Sequence, residues 1–354
     1  MSKIPVAVLG ATGNIGQRFV SLLQDHPDFD LAVLCSSERK VGGRLADSWR
    51  LEDVPLGPDV AGMKLAPLET KALRKAGVVA AFSALPAEIA RGLETEAARA
   101  GLRIFSNASS HRMEPDVPLL VPEVNPDHLA LVERQATYKD GGFLTTNPNC
   151  SITGLALALK PLVDAFAVTT VHVATYQALS GAGYPGVPSL DIVGNVLPFI
   201  ENEEEKMRRE AKKILGTWSD GVVPSPVDVW ANCARVAVRE GHLEAVSIPV
   251  RDDVSPEDVA KVLSDFRGEP QRRNLPTAPR QPVIVRSERN RPQPHLDALA
   301  GEPERARGMA ATVGRIRVTG GVLRFFLLSH NTLRGGSGGS VLNAELAHRR
   351  GYLG

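Results

Sequence analysis

Ile4-Pro5-Val6-Ala7-Val8-Leu9-Gly10-Ala11-Thr12-Gly13-Asn14-Ile15-Gly16 is the stretch that decides the fold. Its first six residues are apolar and rich in β-branching, as a buried parallel strand requires. Glycines at 10, 13 and 16 form a tight turn. Ile15, Phe19, Leu22 and Leu23 then fall at helical spacing, and His26-Pro27 ends the pattern. Leu31 to Cys35 is a second apolar run, so the unit is strand, helix, strand. A glycine turn at this junction suits a phosphate, because the backbone can approach closely and a helix N-terminus offers N–H donors. The spacing is G-x-x-G-x-x-G, a variant of the G-x-G-x-x-G dinucleotide fingerprint.

Outward from this unit the alternation continues. Val78 to Ser83 reads as a strand, Pro86 to Ala100 as a helix, and Leu102 to Ser106 as a strand ending in Asn107-Ala108-Ser109-Ser110. Leu119 to Pro122 predicts another strand and Pro126 to about Tyr138 another helix. Around Gly141-Gly142 the character changes. A helix from Ser151 leads into longer strands, Thr169 to Gln177, Val236 to Val238, Leu243 to Val250, Gly314 to Thr319 and Leu323 to Leu328. This half predicts an α+β arrangement on a largely antiparallel sheet. Gln271 to Pro303, rich in Pro and Arg, reads as irregular, and Ser340 to Arg349 as a closing helix.

The chain has 354 residues, enough for two domains at roughly 100–200 residues each. Lys plus Arg number 41 against 40 Asp plus Glu, a balance that argues against nucleic acid as a partner. A 43% hydrophobic content supports a large core. No apolar run approaches the ~18–20 residues of a membrane span, and the N-terminus lacks signal-peptide features. Cys35, Cys150 and Cys233 are too few and too scattered for a disulfide framework or a zinc site, so no metal is expected. A soluble enzyme of the reducing cytoplasm fits these constraints.

Two segments carry chemistry. Cys35-Ser36-Ser37-Glu38-Arg39-Lys40 closes the second strand, where NAD sites place an acidic residue for the ribose 2′-hydroxyl. Small hydroxyl residues followed by two cations favour a 2′-phosphate instead, hence NADP, although Glu38 weighs the other way. Asn147-Pro148-Asn149-Cys150-Ser151 places a cysteine directly before a predicted helix, a position that favours the thiolate and offers N–H groups to an oxyanion. Cys35 and Cys233 lack that setting. A thiolate nucleophile needs an acid–base partner. His242 follows Arg239-Glu240-Gly241 at a strand–turn boundary, seven residues after Arg235, but composition alone does not separate it from His111 or His330.

Taken together, GATGNIGQ, SALP, SNAS, NPNCS, YQALSGAGYPG, NEEEK, RVAVREGH, VGRIR and HNTLRGGSGGSVLNAEL form an ordered set from Val6 to Leu346. This set resembles the aspartate-β-semialdehyde dehydrogenases of the archaeal and fungal type. The Gly335-Gly336-Ser337-Gly338-Gly339 loop is looser than the alanine-containing loop expected there.

The resemblance implies a glyceraldehyde-3-phosphate dehydrogenase-like architecture. A Rossmann-like NADP-binding domain would take residues 1–149 and 331–354, and an α+β catalytic and dimerisation domain residues 150–330. The implied reaction is NADPH-dependent reductive dephosphorylation of L-aspartyl 4-phosphate to L-aspartate 4-semialdehyde through a cysteine thioester. It would serve the biosynthesis of lysine, threonine, methionine and isoleucine, in a homodimer or homotetramer.

By the same resemblance, Cys150 is the nucleophile, His242 the acid–base residue and Gln177 orients the intermediate. Arg235 takes the substrate α-carboxylate and Glu204 its amino group, while Arg112, Asn149 and Lys206 bind phosphate. Gly10, Thr12, Gly13, Asn14, Ile15, Ser36, Ser37, Ser83 and Asn331 match cofactor contacts, with Arg39 and Lys40 as partners of the 2′-phosphate. The nearest rival is an acyl-CoA reductase of the malonyl-CoA type, which would keep Cys150 and His242 but make room for coenzyme A. A non-catalytic NADP-binding regulator is the alternative of a different class.

Overall fold

A computed structural model describes residues 2–52 and 54–354, and the chain divides into two compact units. The first comprises residues 1–120, 127–147 and 336–354, the second residues 121–126 and 148–335.

The first unit is built on six parallel strands: β1 (Ile4–Leu9), β2 (Phe29–Cys35), β3 (Leu65–Ala66), β4 (Ala80–Ser83), β5 (Arg103–Ser106) and β6 (Phe143–Thr146). They lie in the order β3-β2-β1-β4-β5-β6, the doubly wound order in which the connections reverse between β1 and β4. Loops at the carboxyl ends of these two neighbours therefore diverge and leave a crevice, and both the glycine turn and Ser83 sit there. The core explains the sequence pattern. Ala7, Leu9, Ala81 and Ile104 on the strands pack against Ala90, Ala97 and Ala98 of the helix Ala87–Arg99, whose small side chains allow close helix–sheet approach.

The second unit holds β7 (Thr170–Gln177), a short ribbon of β8 (Thr217–Trp218) and β9 (Val222–Val223), β10 (Asp228–Arg235), β11 (His242–Pro249), β12 (Val283–Arg286), β13 (Ala311–Thr319) and β14 (Val322–Ser329). Its six-stranded sheet runs β10-β7-β11-β14-β13-β12. The three inner pairings are antiparallel and the two outer ones parallel, so the sheet is mixed. Alternation along β7, β10 and β11 buries Thr175, Gln177, Cys233, Arg235, His242 and Glu244 on one face. That face collects the chemistry.

Several expected elements differ. Residues 126–134 form a 3₁₀ helix, burying His128, Leu129, Leu131 and Val132. Leu119 makes only an isolated bridge to Thr146. Val236 to Val238 is a tight turn, with the Val238 N–H bonded to the Val236 carbonyl at 2.8 Å. The expected domain limits also differ from these units. Residues 121–126 belong with the second unit, where buried Glu123 holds Arg334, and the C-terminal return to the first begins at Gly336. No helix among the described residues is long and apolar enough to cross a membrane.

Candidate active site

In the first unit, β1 ends at Leu9 and Gly10 turns with φ +82°, a left-handed value that favours glycine. The turn is closed by the Gly13 N–H donating to the Gly10 carbonyl at 3.1 Å. Gly16 is needed for a different reason, because a Cβ there would lie 2.0 Å from the Gly10 carbonyl oxygen. The helix Asn14–Leu23 starts at Gly13 with no side-chain cap and no acidic residue in its first turn. Its first-turn N–H groups and positive dipole end thus suit an anion, and the residues present fit a dinucleotide phosphate. Beyond β2, Ser36 is buried, Ser37 and Arg39 are exposed, and Lys40 is half-buried. Neither cation forms an ion pair among the described residues, so both remain available for a further phosphate.

Arg112 also belongs to the first unit. It is nearly buried, and its Nη2 donates to the Asn107 carbonyl at 3.0 Å. Asn107 in turn accepts from Asn147 Nδ2 at 2.6 Å.

In the second unit Cys150 opens the helix Cys150–Ala165. Asn149 caps that helix: its Oδ1 accepts from the N–H groups of Ser151 (2.9 Å) and Ile152 (3.3 Å). Two buried carboxylates fix Asn149. Glu203 accepts from Nδ2 with both oxygens at 2.9 Å, and Glu210 Oε2 accepts from the Asn149 N–H at 2.6 Å. Asn149 therefore fixes the chain at Cys150, and its side-chain amide, which the resemblance assigns to phosphate, is engaged by Glu203. The oxyanion expectation changes too, because the Ser151 and Ile152 N–H groups are taken by the cap.

Cys150 Sγ lies 3.2 Å from Nε2 of fully buried His242. His242 Nδ1 accepts the Ala178 N–H at 3.0 Å. That bond fixes the neutral tautomer with hydrogen on Nε2, facing the sulfur. Burial, then the charge of Arg235 and then His330, pushes the imidazole down to about 3, so it is uncharged near neutrality. His242 is thus a hydrogen-bond donor toward the reacting centre. The Ala178 carbonyl meanwhile accepts Arg235 Nη1 at 2.8 Å, so one residue aligns both side chains.

Arg235 is 7% exposed and has no carboxylate partner among the described residues. Burial disfavours its charge and holds its pKa down, which makes the guanidinium an incomplete anion receptor. Gly181 shapes the space beside it. A Cβ there would lie 2.8 Å from Arg235 Nη1 and 3.2 Å from His242 Cε1. Gln177, on the same face, donates from Nε2 to Glu203 Oε1 at 2.9 Å.

Among the sequence candidates, Cys150, His242, Gln177, Arg235 and Asn149 share this site. Glu204 does not: it is exposed and accepts the Cys233 N–H at 3.0 Å. Its neighbour Glu203 is the carboxylate that reaches Asn149 and Gln177. The signal was present in the sequence, since Glu203, Met207, Ala211 and Ile214 mark one buried stripe of the helix Glu203–Ile214. Lys206, half-buried on that helix, forms no ion pair among the described residues. Asn331 lies in the second unit, and its side chain accepts the Gly241 N–H at 2.9 Å and donates to Ser180 at 2.7 Å. The amide thereby ties the turn before His242 to the loop after Gln177. His111 sits in the first unit beside Glu114, and His330 pairs with Glu240. Gly335 is explained by Cys150, because a Cβ at 335 would lie 2.7 Å from the cysteine Cα. Among the described residues no cluster of His, Cys, Asp or Glu is arranged to hold a metal ion.

Residues 5–132 match the family model for the semialdehyde dehydrogenase NAD binding domain, and residues 159–334 that for the semialdehyde dehydrogenase dimerisation domain. The chain is 46% identical over 351 residues to the aspartate-semialdehyde dehydrogenase of Methanothermobacter thermautotrophicus, covering 97% of this chain and 98% of that protein. It is 37% identical over 356 residues to the malonyl CoA reductase (NADP) of Metallosphaera sedula, covering 99% and 98%. Its fold superposes on the crystal structure of aspartate semialdehyde dehydrogenase with NADP from Candida albicans with a TM-score of 0.88 at 36% identity, covering 99% of this chain and 100% of that one. With that similarity running the length of both units, the chain belongs to the aspartate-semialdehyde dehydrogenase family.

Proposed function

We propose that this enzyme reduces L-aspartyl 4-phosphate to L-aspartate 4-semialdehyde and phosphate with NADPH, through an acyl-thioester on Cys150. The observation that carries the reading is Sγ 3.2 Å from an Nε2–H donor, beside a buried arginine with no carboxylate partner. Arg235 recognises the α-carboxylate. Glu203 replaces Glu204 as the group offered to the α-ammonium, and Gln177 orients the acyl group. Arg112 and Lys206 take the phosphate. Gly10, Thr12, Gly13, Asn14 and Ile15 would hold the cofactor pyrophosphate, Ser36, Ser37, Arg39 and Lys40 the 2′-phosphate, and Ser83 the edge of the crevice. The first unit serves as the dinucleotide-binding domain and the second as the catalytic and dimer-forming domain. The enzyme acts in the cytoplasm, in the branch leading to lysine, threonine, methionine and isoleucine.

The chemistry follows from the geometry. The thiolate attacks the acyl carbon, a C–S bond forms, and the bond to phosphate breaks; phosphate leaves without strong acid help because it is already a good leaving group. A bound nicotinamide supplies the hydride in this direction and accepts it in the other. When hydride reaches the thioester carbonyl, negative charge gathers on its oxygen. His242 Nε2–H is the donor aimed at that region, since the helix cap has claimed the next two N–H groups. Collapse of the adduct breaks the C–S bond, releases the aldehyde and restores the thiolate, which the same N–H stabilises.

The test is the acyl donor. Aspartate semialdehyde should reduce NADP through repeated turnovers only when phosphate is present, and malonyl-CoA should not support NADPH oxidation. Turnover with malonyl-CoA and none with phosphate would replace this reading by the acyl-CoA reductase one.

A further inference from the structure

Far along the second unit, between the helix Pro256–Asp265 and β12, the chain wraps a cavity of about 480 Å³ that the reaction does not use. Small-molecule sites commonly occupy ~300–1,000 Å³. Leu275, Pro276 and Pro279 give it an apolar floor, and Arg267, Arg272 and Arg280 stand around it with no carboxylate among the lining residues. Arg267 and Arg272 form no ion pair among the described residues. Their Nη1 atoms are anchored on backbone carbonyls, Arg267 on Ser264 (2.8 Å) and Phe266 (2.7 Å), Arg272 on Arg267 (3.0 Å). A guanidinium carries five N–H donors, so each keeps several to offer. Arg280 meets Glu302 at 3.5 Å with both side chains three-quarters exposed, a pair too solvated to neutralise it.

The wall of this cavity connects to the nucleophile by close contacts. Gln271 accepts the Gly268 N–H at 2.9 Å, donates to the Pro279 carbonyl at 3.0 Å and approaches Glu123 Oε1 at 3.5 Å. Gly268 packs on Glu123 so tightly that a Cβ would lie 2.5 Å from its Cα. Fully buried Glu123 receives both arms of Arg334, at 2.9 and 2.7 Å. Arg334 precedes Gly335, whose backbone touches Cys150. Well-packed interiors have little slack, so a shift of residues 267–272 has a short route to the start of the nucleophile helix.

We propose that this cavity is a second ligand site, for a small di- or tricarboxylate with a short aliphatic body, and that its occupation alters turnover at Cys150. The coupling rests on the catalytic reading given above; the binding does not, and Cys150→Ala protein should bind the ligand as well as wild type.

Citrate is the probe. Calorimetric titration of the full-length enzyme should show one saturable site per chain. The double variant Arg267→Ala/Arg272→Ala should weaken it by about tenfold or more, because two charge-assisted anchors are lost. No binding to wild type, or equal binding to the double variant, overturns the site. In steady state, citrate should shift wild-type kcat by about twofold or more. The double variant should keep its basal activity and lose the response, and Gln271→Ala should bind citrate with the response reduced. A response undiminished in the double variant would place citrate at the substrate site and overturn the proposal. A response undiminished in Gln271→Ala would overturn the coupling.

Discussion

Two helices in this molecule begin at functional sites, and they begin in opposite ways. The helix Asn14–Leu23 starts with glycine as its N-cap, no side-chain cap and no acidic residue in its first turn. The helix Cys150–Ala165 starts fully dressed, with Asn149 claiming two N–H groups and Glu203 and Glu210 holding Asn149. A bare terminus keeps its donors for an anionic ligand. A capped terminus holds one side chain still, and here that side chain is the cysteine. Catalytic donation then passes to a group outside the helix, His242. The same local element therefore serves binding in one unit and positioning in the other.

The largest effect that could break this contrast is at the sulfur itself. Cys150→Ala should lower kcat by about 10⁴-fold or more while the dissociation constant for NADPH, measured by fluorescence titration, stays near the wild-type value. Residual turnover within tenfold of wild type would remove the nucleophile from the account. Next comes the cap. Asn149→Ala should cost about 1–2 kcal/mol of stability in denaturant titration and lower kcat more than it raises KM. A stable, fully active variant would show that the cap does not position Cys150.

On the bare side, replacing Arg39 and Lys40 together by alanine should raise KM for NADP by about tenfold and leave that for NAD nearly unchanged. Equal changes for both would put the 2′-phosphate elsewhere. The smallest effect concerns Glu244, fully buried beside His242 on β11 with neither oxygen hydrogen-bonded. Burial, reinforced by Glu203, holds its carboxyl well above the usual carboxylate range. The unfolded chain therefore releases this proton above about pH 4.5 while the native state retains it, so stability falls as pH rises through that region. Glu244→Gln should raise Tm by about 2 °C at pH 8 and by little at pH 4. A gain that is largest at pH 4 would reverse the sign of the argument.

How much of this was legible beforehand depended on range. The first strand, glycine turn and helix are contiguous and encode their own periodicity, so they read directly. Cys150 is marked by its neighbours Asn149 and Ser151 and by the helix that follows. The grouping of Gln177, Arg235 and His242 is different. These residues end or start three strands whose adjacency, β10 beside β7 beside β11, is set by long-range pairing. Only the resemblance of whole motifs selected His242 over His111 and His330. That Glu203 and not Glu204 lies on the buried face is hard to read, because a run of three glutamates hides helical phase unless Met207, Ala211 and Ile214 are used to set it. The partners of Asn331, Gly241 and Ser180, lie 90 and 151 residues away, so no local pattern announces its place between two loops.

Covalent chemistry at Cys150 can be watched most directly by withholding phosphate. Enzyme mixed with aspartate semialdehyde and NADP alone should produce a single burst of NADPH, at most one per active site. Peptide mapping by mass spectrometry should then find an aspartyl acyl group on Cys150. A burst without that adduct, or the acyl group on another residue, would contradict the thioester mechanism.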